Sequence, residues 1–318
     1  MQYRKLGRYG IRVSEVSLGG WLTHGRALDQ GATSTVVRRA FDLGVNLFDS
    51  ADAYGGGDAE SALAQAIRGI RRQDVVLATK CFFPMSKGPN DRGLSAKHIS
   101  ESVHASLRRL ETEYIDIMQF HRFDDETPLD ETVRAIDDLV RQGKVLYWGV
   151  SEWKAHQISE LIGVAKELNA HPPASNQPRY NMMIRGIEDD VLPVCGRHGI
   201  GILAFSPLAQ GVLSGKYRPG EPPPAGTRAA GNDRFDWLDR LMADENLLRV
   251  QRLSEFSEGL GMPVGRLALA WCLRRKEVSS VIVGATSVEQ LEANVAASGV
   301  VLGEEVWKEA DSILPGGL

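Results

Sequence analysis

The stretch Asn46-Leu-Phe-Asp-Ser-Ala-Asp-Ala-Tyr54 joins an apolar strand to two ionisable side chains. The strand ends on a carboxylate, Asp49, and a phenol, Tyr54, follows five residues later in the loop. A second apolar strand, Val75-Val-Leu-Ala-Thr-Lys80, ends on an amine, and a third, Tyr114 to Phe120, runs into an imidazole, His121. Such groups are costly to bury unpaired. Parallel neighbouring strands would bring these ends to one spot, where the groups can neutralise one another and set each other's pKa. That arrangement suits proton transfer to a carbonyl oxygen.

Strand and helix patterns alternate on either side of these strands. A hairpin over 2–14, turning at Gly7-Arg-Tyr-Gly10, precedes them and is placed to plug one end of a barrel. Strands are predicted at 16–19, 46–49, 75–80, 114–120, 145–151, 174–177, 200–205 and 280–283. Their helices are predicted at 33–43, 58–69, 95–110, 129–141, 155–168, 187–198, 263–275 and 288–298. Gly44 stops the first helix, Asp58 and Ser95 cap the second and third, and Thr127-Pro128 opens the fourth. The strands are short, apolar and mostly β-branched, as expected of a parallel sheet covered on both faces. Eight such units predict a (β/α)₈ TIM barrel, one domain over 1–318, with an extra C-terminal helix over 303–314. The rival is a doubly wound sheet, but no G-x-G-x-x-G follows the first strand. Gly55-Gly56-Gly57 has the wrong spacing and reads as a flexible turn.

Residues 206–236 interrupt the alternation. They are rich in Gly and Pro (Pro219-Gly-Glu-Pro-Pro-Pro-Ala-Gly226) and follow the seventh strand. They carry Lys216, Arg218, Arg228 and Arg234, and loops after strands seven and eight of a barrel often hold phosphate. A loop this long is usually functional or disordered. The flanks, Ser206-Pro-Leu-Ala-Gln-Gly and Ser214-Gly-Lys, read as ordered and the Pro-rich centre as a candidate for disorder.

The bulk properties exclude several classes. A net charge of −4 over 318 residues, without blocks of like charge, suits neither a nucleic-acid nor a membrane-surface partner. Cys81, Cys195 and Cys272 are scattered and odd in number, which indicates neither a disulfide framework nor a zinc site. The N-terminus lacks an apolar signal region and no apolar run approaches the length of a membrane span. A cytoplasmic protein without membrane insertion is the expectation.

Taken singly, Asp49 reads as a cap, Lys80 as a surface lysine, His121 as a core histidine and Tyr54 as packing. All four, however, fall at or just beyond the C-terminal ends of strands two, three and four, the catalytic face of a TIM barrel. A free tyrosine has a pKa of about 10 and is a poor acid at neutral pH. An ammonium beside it, Lys80, is expected to lower that value, with Asp49 balancing the lysine. His121 can donate a hydrogen bond to a substrate oxygen. No metal is required, since one histidine and one carboxylate fall short of a catalytic zinc set.

At these residues the sequence resembles the aldo-keto reductase superfamily, from Tyr3-Arg-Lys-Leu-Gly to Ser312-Ile-Leu. The likeness is carried by Phe48-Asp-Ser-Ala-Asp-Ala-Tyr54, Thr79-Lys80, His121-Arg122, Phe205-Ser-Pro-Leu-Ala209 and Gly284-Ala-Thr. Trp148-Gly-Val-Ser-Glu-Trp, Ser214-Gly-Lys-Tyr217 and Leu267-Ala-Leu-Ala-Trp-Cys272 resemble most the branch holding potassium-channel β subunits and their plant and bacterial relatives. The resemblance implies hydride transfer from a nicotinamide, with NADP(H) favoured over NAD(H), to a small-molecule aldehyde or ketone. Tyr54 would protonate the oxygen, Lys80 and Asp49 would tune it, and His121 would orient the carbonyl. Gly20, Trp21 and Asp49 would also meet the cofactor. Ser151 and Gln177 would bind the carboxamide and Phe205 would stack on the nicotinamide ring. Ser206, Pro207, Leu208 and Lys216 would line the pyrophosphate path, with Arg228 closing over it. Gly284, Thr286, Gln290 and Asn294 would hold the adenosine end, while Trp21 and Trp153 would wall the substrate side.

Three departures qualify the likeness. Glu152 stands where many relatives have Asn, Gln290 where many have an arginine for the 2′-phosphate, and Ala293 where a glutamate would meet the adenine. Two rival functions are a nicotinamide-binding β subunit or redox sensor docked on a membrane channel, and a barrel isomerase or lyase using Lys80 as a Schiff base. His121, where animal channel subunits carry Asn, favours the reductase, as does a chain starting almost at the hairpin. The channel-subunit branch implies a tetramer and the wider superfamily a monomer, so a homo-oligomer is one expectation. The loop Cys81-Phe-Phe-Pro-Met-Ser-Lys-Gly-Pro-Asn90 and the short C-terminus are expected to leave an open pocket for small aromatic and aliphatic aldehydes.

Overall fold

A computed structural model describes residues 1–21, 24, 27–231 and 236–316, the side chains of 236 and 237 excepted. An antiparallel hairpin, β1 (Tyr3–Lys5) and β2 (Arg12–Ser14), comes first. The barrel strands are β3 (Val16–Gly19), β4 (Leu47–Asp49), β5 (Val76–Cys81), β6 (Ile115–Phe120), β7 (Val145–Ser151), β8 (Ser175–Gln177), β9 (Gly201–Phe205) and β10 (Val278–Val283). They pair in parallel, each with the next, and β10 closes on β3. This is the (β/α)₈ barrel that the repeating units predicted. Around it run α1 (Gln30–Asp42), α2 (Asp58–Ala66), α3 (Ala96–Arg109), α4 (Leu129–Arg141), α5 (Ala155–Glu167) and α6 (Val191–His198). After β9 come α7 (Asp236–Leu241), α8 (Asp244–Gly259) and α9 (Val264–Leu273), and after β10 come α10 (Val288–Val295) and the extra α11 (Glu304–Ile313). No helix among the described residues is long and apolar enough to cross a membrane.

Several boundaries differ from the predicted ones, for local reasons. Helix α1 starts earlier, because the Asp29 side chain caps it by accepting from the Ala32 N–H at 2.8 Å. Gly57, not Asp58, is the N-cap of α2, at φ +104°, and Asp58 lies in the first turn beside the positive helix end. The preceding glycines form a 3₁₀ turn, Tyr54–Gly57, with Gly55 and Gly56 also at positive φ. Helix α6 begins only at Val191, which keeps Pro193 in the first turn where its missing N–H is harmless. The 206–236 loop is ordered at its flanks, as 3₁₀ turns over Ala209–Ser214 and Arg228–Ala230. Arg234 lies outside the described residues. Helix α8 was not predicted. Its Leu247, Val250 and Leu253 make an apolar face at helical spacing, but it falls between strand–helix units and is passed over by counting repeats.

Side-chain alternation along the strands divides the core in two. Phe48, Leu77, Met118 and Val150 point outward, under the helices. Leu47, Val76, Ala78, Ile117 and Leu203 point inward and pack with Leu6 and Val13 of the hairpin. The hairpin thus plugs one end of the barrel. A period of two then carries the inward set forward, from Leu47 to Asp49, from Ala78 to Lys80 and from Ile117 to Gln119. The barrel interior therefore changes from apolar to polar along its length, and the polar layer lies at the C-terminal ends of the strands. Leu6 is fully buried. Leu6→Ala should lower stability by about 2–5 kcal/mol, read as a drop in the urea midpoint. A shift below about 0.5 kcal/mol would show that the hairpin only rests on the barrel.

Candidate active site

The polar layer is centred on the Asp49 carboxylate. Lys80 Nζ donates to its Oδ2 at 2.6 Å and to the Ser50 carbonyl at 2.7 Å. Gln177 Nε2 donates to Oδ1 at 2.8 Å, with Gln119 Nε2 more distant at 3.5 Å. Lys80 is completely buried and Asp49 nearly so. Burial alone would push the Lys80 ammonium down, but Asp49 and Tyr54 more than offset it and hold its pKa above the ordinary lysine value. Lys80 is therefore a fixed positive charge, sealed beneath the floor of the site. A Schiff-base role would need a neutral amine open to substrate, and this lysine is neither.

The loop after β4 extends the sheet by two rungs, Ser50 N–H to Ala78 O and Asp52 N–H to Lys80 O. Asp52 is buried, accepts from Ser102 Oγ of α3 at 2.9 Å, and is pushed up to about 7 by burial. These bonds deliver Tyr54 above Lys80, whose Nζ lies 4.9 Å from the ring centroid. The His121 ring meets Tyr54 edge-on at 5.7 Å, and Trp21 flanks it at 6.4 Å. The sign expected for Tyr54 is reversed. Burial raises its pKa by more than the Lys80 ammonium lowers it, so the phenol stays protonated. His121 is held well below the ordinary histidine value by burial, then by Lys80 and Arg122, and is neutral. The pair offers two uncharged hydrogen-bond donors at one place.

Tyr54 and His121 face a cavity of about 950 Å³, within the range of ligand sites. Beyond Phe205 its wall is the loop 206–211, where Ser206, Ala209 and Gln210 all take positive φ. Such backbone is costly for non-glycine residues and clusters at functional sites. Ser206 is braced by Asn181 Nδ2 on its carbonyl and by Gln210 Nε2 on its hydroxyl. At Gly211, φ is +95°, a conformation that favours glycine, and a Cβ would lie 2.9 Å from Cε of the flexible Lys216 side chain. Lys216 is held below its ordinary pKa by burial and then by Arg228, and burial lowers Arg228 as well. Two crowded cations, Lys216 exposed and Arg228 half-buried, suit an anion such as a pyrophosphate. The far end is lined by Gly284, Thr286, Gln290, Ala293 and Asn294. There Gln290 Oε1 accepts from the Thr286 N–H and hydroxyl, at 3.1 and 3.0 Å.

Asp49, Tyr54, His121, Trp21, Ser151, Gln177, Phe205, Ser206, Pro207, Leu208, Lys216, Arg228, Gly284, Thr286, Gln290 and Asn294 all line this one cavity. Gly20 and Trp153 do not, and Lys80 lies beneath the floor and outside the lining. Gly19 lines it instead, while the Gly20 N–H bonds the Asp49 carbonyl and a Cβ there would meet His24. Trp153 is buried against Phe123, ring to ring at 4.7 Å. Cys81, although next to Lys80, is a buried thiol pushed well up by burial. Among the lining residues given no site role from the sequence are Phe83, Arg122, Arg179, Gln210 and Arg266. Arg122 and Arg179 come just after strand ends four and six, a signal that was legible. Arg266 had none, because which helix end borders the cavity is a tertiary matter.

A sequence model described as the aldo/keto reductase family matches residues 15–315. A probable voltage-gated potassium channel subunit beta from Arabidopsis thaliana is 43% identical over 304 residues, 95% of this chain and 92% of the relative. A protein of the same description from Oryza sativa subsp. japonica is likewise 43% identical with the same coverage. A putative voltage-gated potassium channel subunit beta from Schizosaccharomyces pombe is 39% identical over 319 residues, 98% of this chain and 93% of the relative. Likeness of this strength across nearly the full length makes the chain a member of the aldo/keto reductase family.

Proposed function

We propose that this protein is an NADP(H)-dependent reductase of aldehydes and ketones, with Tyr54 as the general acid. The observation that carries the proposal is the protonated Tyr54, set over a buried Lys80–Asp49 ion pair and beside a neutral His121, at the edge of one large cavity. Family membership gives the coarser statement, an oxidoreductase of a kind that generally uses a nicotinamide dinucleotide. When bound, that cofactor supplies a hydride to the carbonyl carbon. Tyr54 and His121 donate hydrogen bonds to the carbonyl oxygen and orient it. As negative charge develops on that oxygen, the phenol proton passes to it. The Lys80 ammonium stabilises the phenolate left behind, and Asp49 keeps the lysine in place. Ser151 and Gln177, whose amide nitrogen donates to Asp49, would bind the carboxamide. Lys216 and Arg228 would hold the pyrophosphate. Preference for NADP over NAD is supported at the adenosine end, where the described lining carries Thr286, Gln290 and Asn294 and no carboxylate.

The relatives' names favour a second reading, a nicotinamide-binding subunit docked on a membrane channel. Loss of NADPH absorbance with 4-nitrobenzaldehyde separates the two. Turnover that drops about 10²–10⁴-fold in Tyr54→Phe supports the reductase. Tight NADPH binding without turnover moves the weight to the docked subunit, and activity within a few fold of wild type in Tyr54→Phe removes the phenol from its role.

The pKa directions fix the pH dependence. His121 is depressed from 6.5 and already neutral below that value, while Tyr54 is raised from 10.0 and keeps its proton up to there. kcat/KM for reduction should therefore be flat from about pH 6 to 9 and fall only as Tyr54 ionises above that range. An inflection near 6.5 that vanishes in His121→Asn would mean that the imidazole is charged at work. In titrations, NADPH should bind at least about tenfold more tightly than NADH. Equal affinities would remove the NADP preference and leave the chemistry standing.

A further inference from the structure

Behind the wall of the site lies a second buried ion pair, which the proposed reduction does not use. Glu60, in the first turn of α2, is fully buried. Its Oε2 accepts from Arg109 Nε of α3 at 2.5 Å, and its Oε1 accepts from the Thr79 hydroxyl at 2.5 Å. Thr79 immediately precedes Lys80 on β5, and alternation along the strand sends its side chain outward as Lys80 turns inward. One carboxylate thus ties the helix that follows Tyr54 to the strand that carries Lys80.

The segment bearing Tyr54 is therefore held on β5 at both of its ends. At its start, the Ser50 and Asp52 N–H groups donate to the Ala78 and Lys80 carbonyls. Past its end, Glu60 reaches Thr79, which lies between those two rungs. Tyr54 spans the interval, with its ring centroid 4.9 Å from Lys80 Nζ. Helix α3 backs both ends. Its Ser102 Oγ donates to Asp52 at 2.9 Å, and farther along the same helix Arg109 reaches Glu60. Arg109 is itself steadied by Ser106 Oγ, which accepts from Nη2 at 3.3 Å. The glycine turn gives this arginine room. At Gly57 φ is +104°, which favours glycine, and a Cβ would lie 2.6 Å from Arg109 Cδ, next to the nitrogen held by Glu60.

Taking a carboxylate out of water is costly, and an apolar pair would serve stability as well. What the bonds of Glu60 add is direction. We propose that Glu60 is a positioning residue, which through Thr79 and Arg109 sets the Tyr54 phenol over the Lys80 ammonium. This rests on the reading of Tyr54 as the general acid of a carbonyl reductase. Glu60, Thr79 and Arg109 stand outside the cavity lining, so the device acts on proton transfer and not on the grip of the cofactor.

The test compares Thr79→Val with Thr79→Ser. Valine suits a strand but lacks the hydroxyl that Glu60 holds, while serine keeps it. With 4-nitrobenzaldehyde, Thr79→Val should lower kcat about ten- to a hundredfold, the scale of a misplaced catalytic group. KM and the NADPH dissociation constant should stay within about twofold of wild type. Thr79→Ser should recover most of the loss. Should Thr79→Val fail to fold, Glu60→Gln, whose amide nitrogen cannot accept from Arg109, should show the same split. A kcat within about twofold of wild type overturns the proposal. A loss of NADPH affinity in step with kcat overturns it as well, because that marks a site that has loosened as a whole. The second readout needs no turnover. In protein grown with 3-fluorotyrosine, the fluorine NMR resonance of Tyr54 is the one missing from Tyr54→Phe. It should shift in Thr79→Val and return in Thr79→Ser, and an unmoved resonance removes the positioning role. A wild-type protein that reduces no aldehyde, while this resonance responds, keeps the positioning and removes the reductase.

Discussion

The bond on which the site depends is the buried contact between Lys80 and Asp49, at 2.6 Å. Removing an ammonium and a carboxylate from water costs several kcal/mol each, and mutual attraction repays that only when every remaining donor and acceptor is satisfied. Here Asp49 also accepts from Gln177, and Lys80 also donates to the Ser50 carbonyl. A packed pair of apolar side chains could serve stability as well. What it could not supply is a permanent positive charge beneath a phenol. The pair makes sense as a device for stabilising negative charge at Tyr54, and that is how the proposed chemistry uses it.

The barrel makes such a pair affordable. Strands β4 and β5 are neighbours in register, Asp49 opposite Ala78, so that Lys80 lies one inward step farther along. Below this step the interior is filled by the hairpin and the inward aliphatic side chains. Above it the loops take over, and each extends one strand end into the cavity wall. The dinucleotide side is built differently. It uses strained backbone at Ser206, Ala209 and Gln210, a glycine at positive φ beside Lys216, and an arginine folded back onto Gln210. One side of the cavity is rigid because it is sheet, and the other is shaped because its loop conformation is held by side-chain bonds.

Burial and charge compete at every titratable group here, and the outcomes differ. For Lys80 the partners win and the charge is kept. For Tyr54 burial wins over the ammonium beside it. For His121 burial and neighbouring cations act together, and the ring is neutral. The reversal at Tyr54 suits its role, since a proton donor must hold its proton until charge appears on the substrate oxygen. Proximity to a lysine, read from strand ends, gives the sign of one contribution but not the sum.

Much of this molecule was legible in its residues. Eight short apolar strands with helical intervals mark a parallel sheet covered on both faces, and eight such units without a G-x-G-x-x-G after the first strand favour the closed barrel over a doubly wound sheet. The period of two along 47–49 and 76–80 then commits Asp49 and Lys80 to the interior at its polar end. Local chemistry sufficed for Ser95 as a cap and for the hairpin plug. The misses came where local signals compete or fall silent. Asp58 gave way to Gly57 as cap, α8 lay outside the repeat, and Trp153 turned to Phe123 instead of the cavity. The place of Arg266 in the lining and the net pKa of Tyr54 had to wait for the tertiary structure. Both depend on distances between segments far apart in the chain, and on how much protein surrounds a group, which no local pattern encodes.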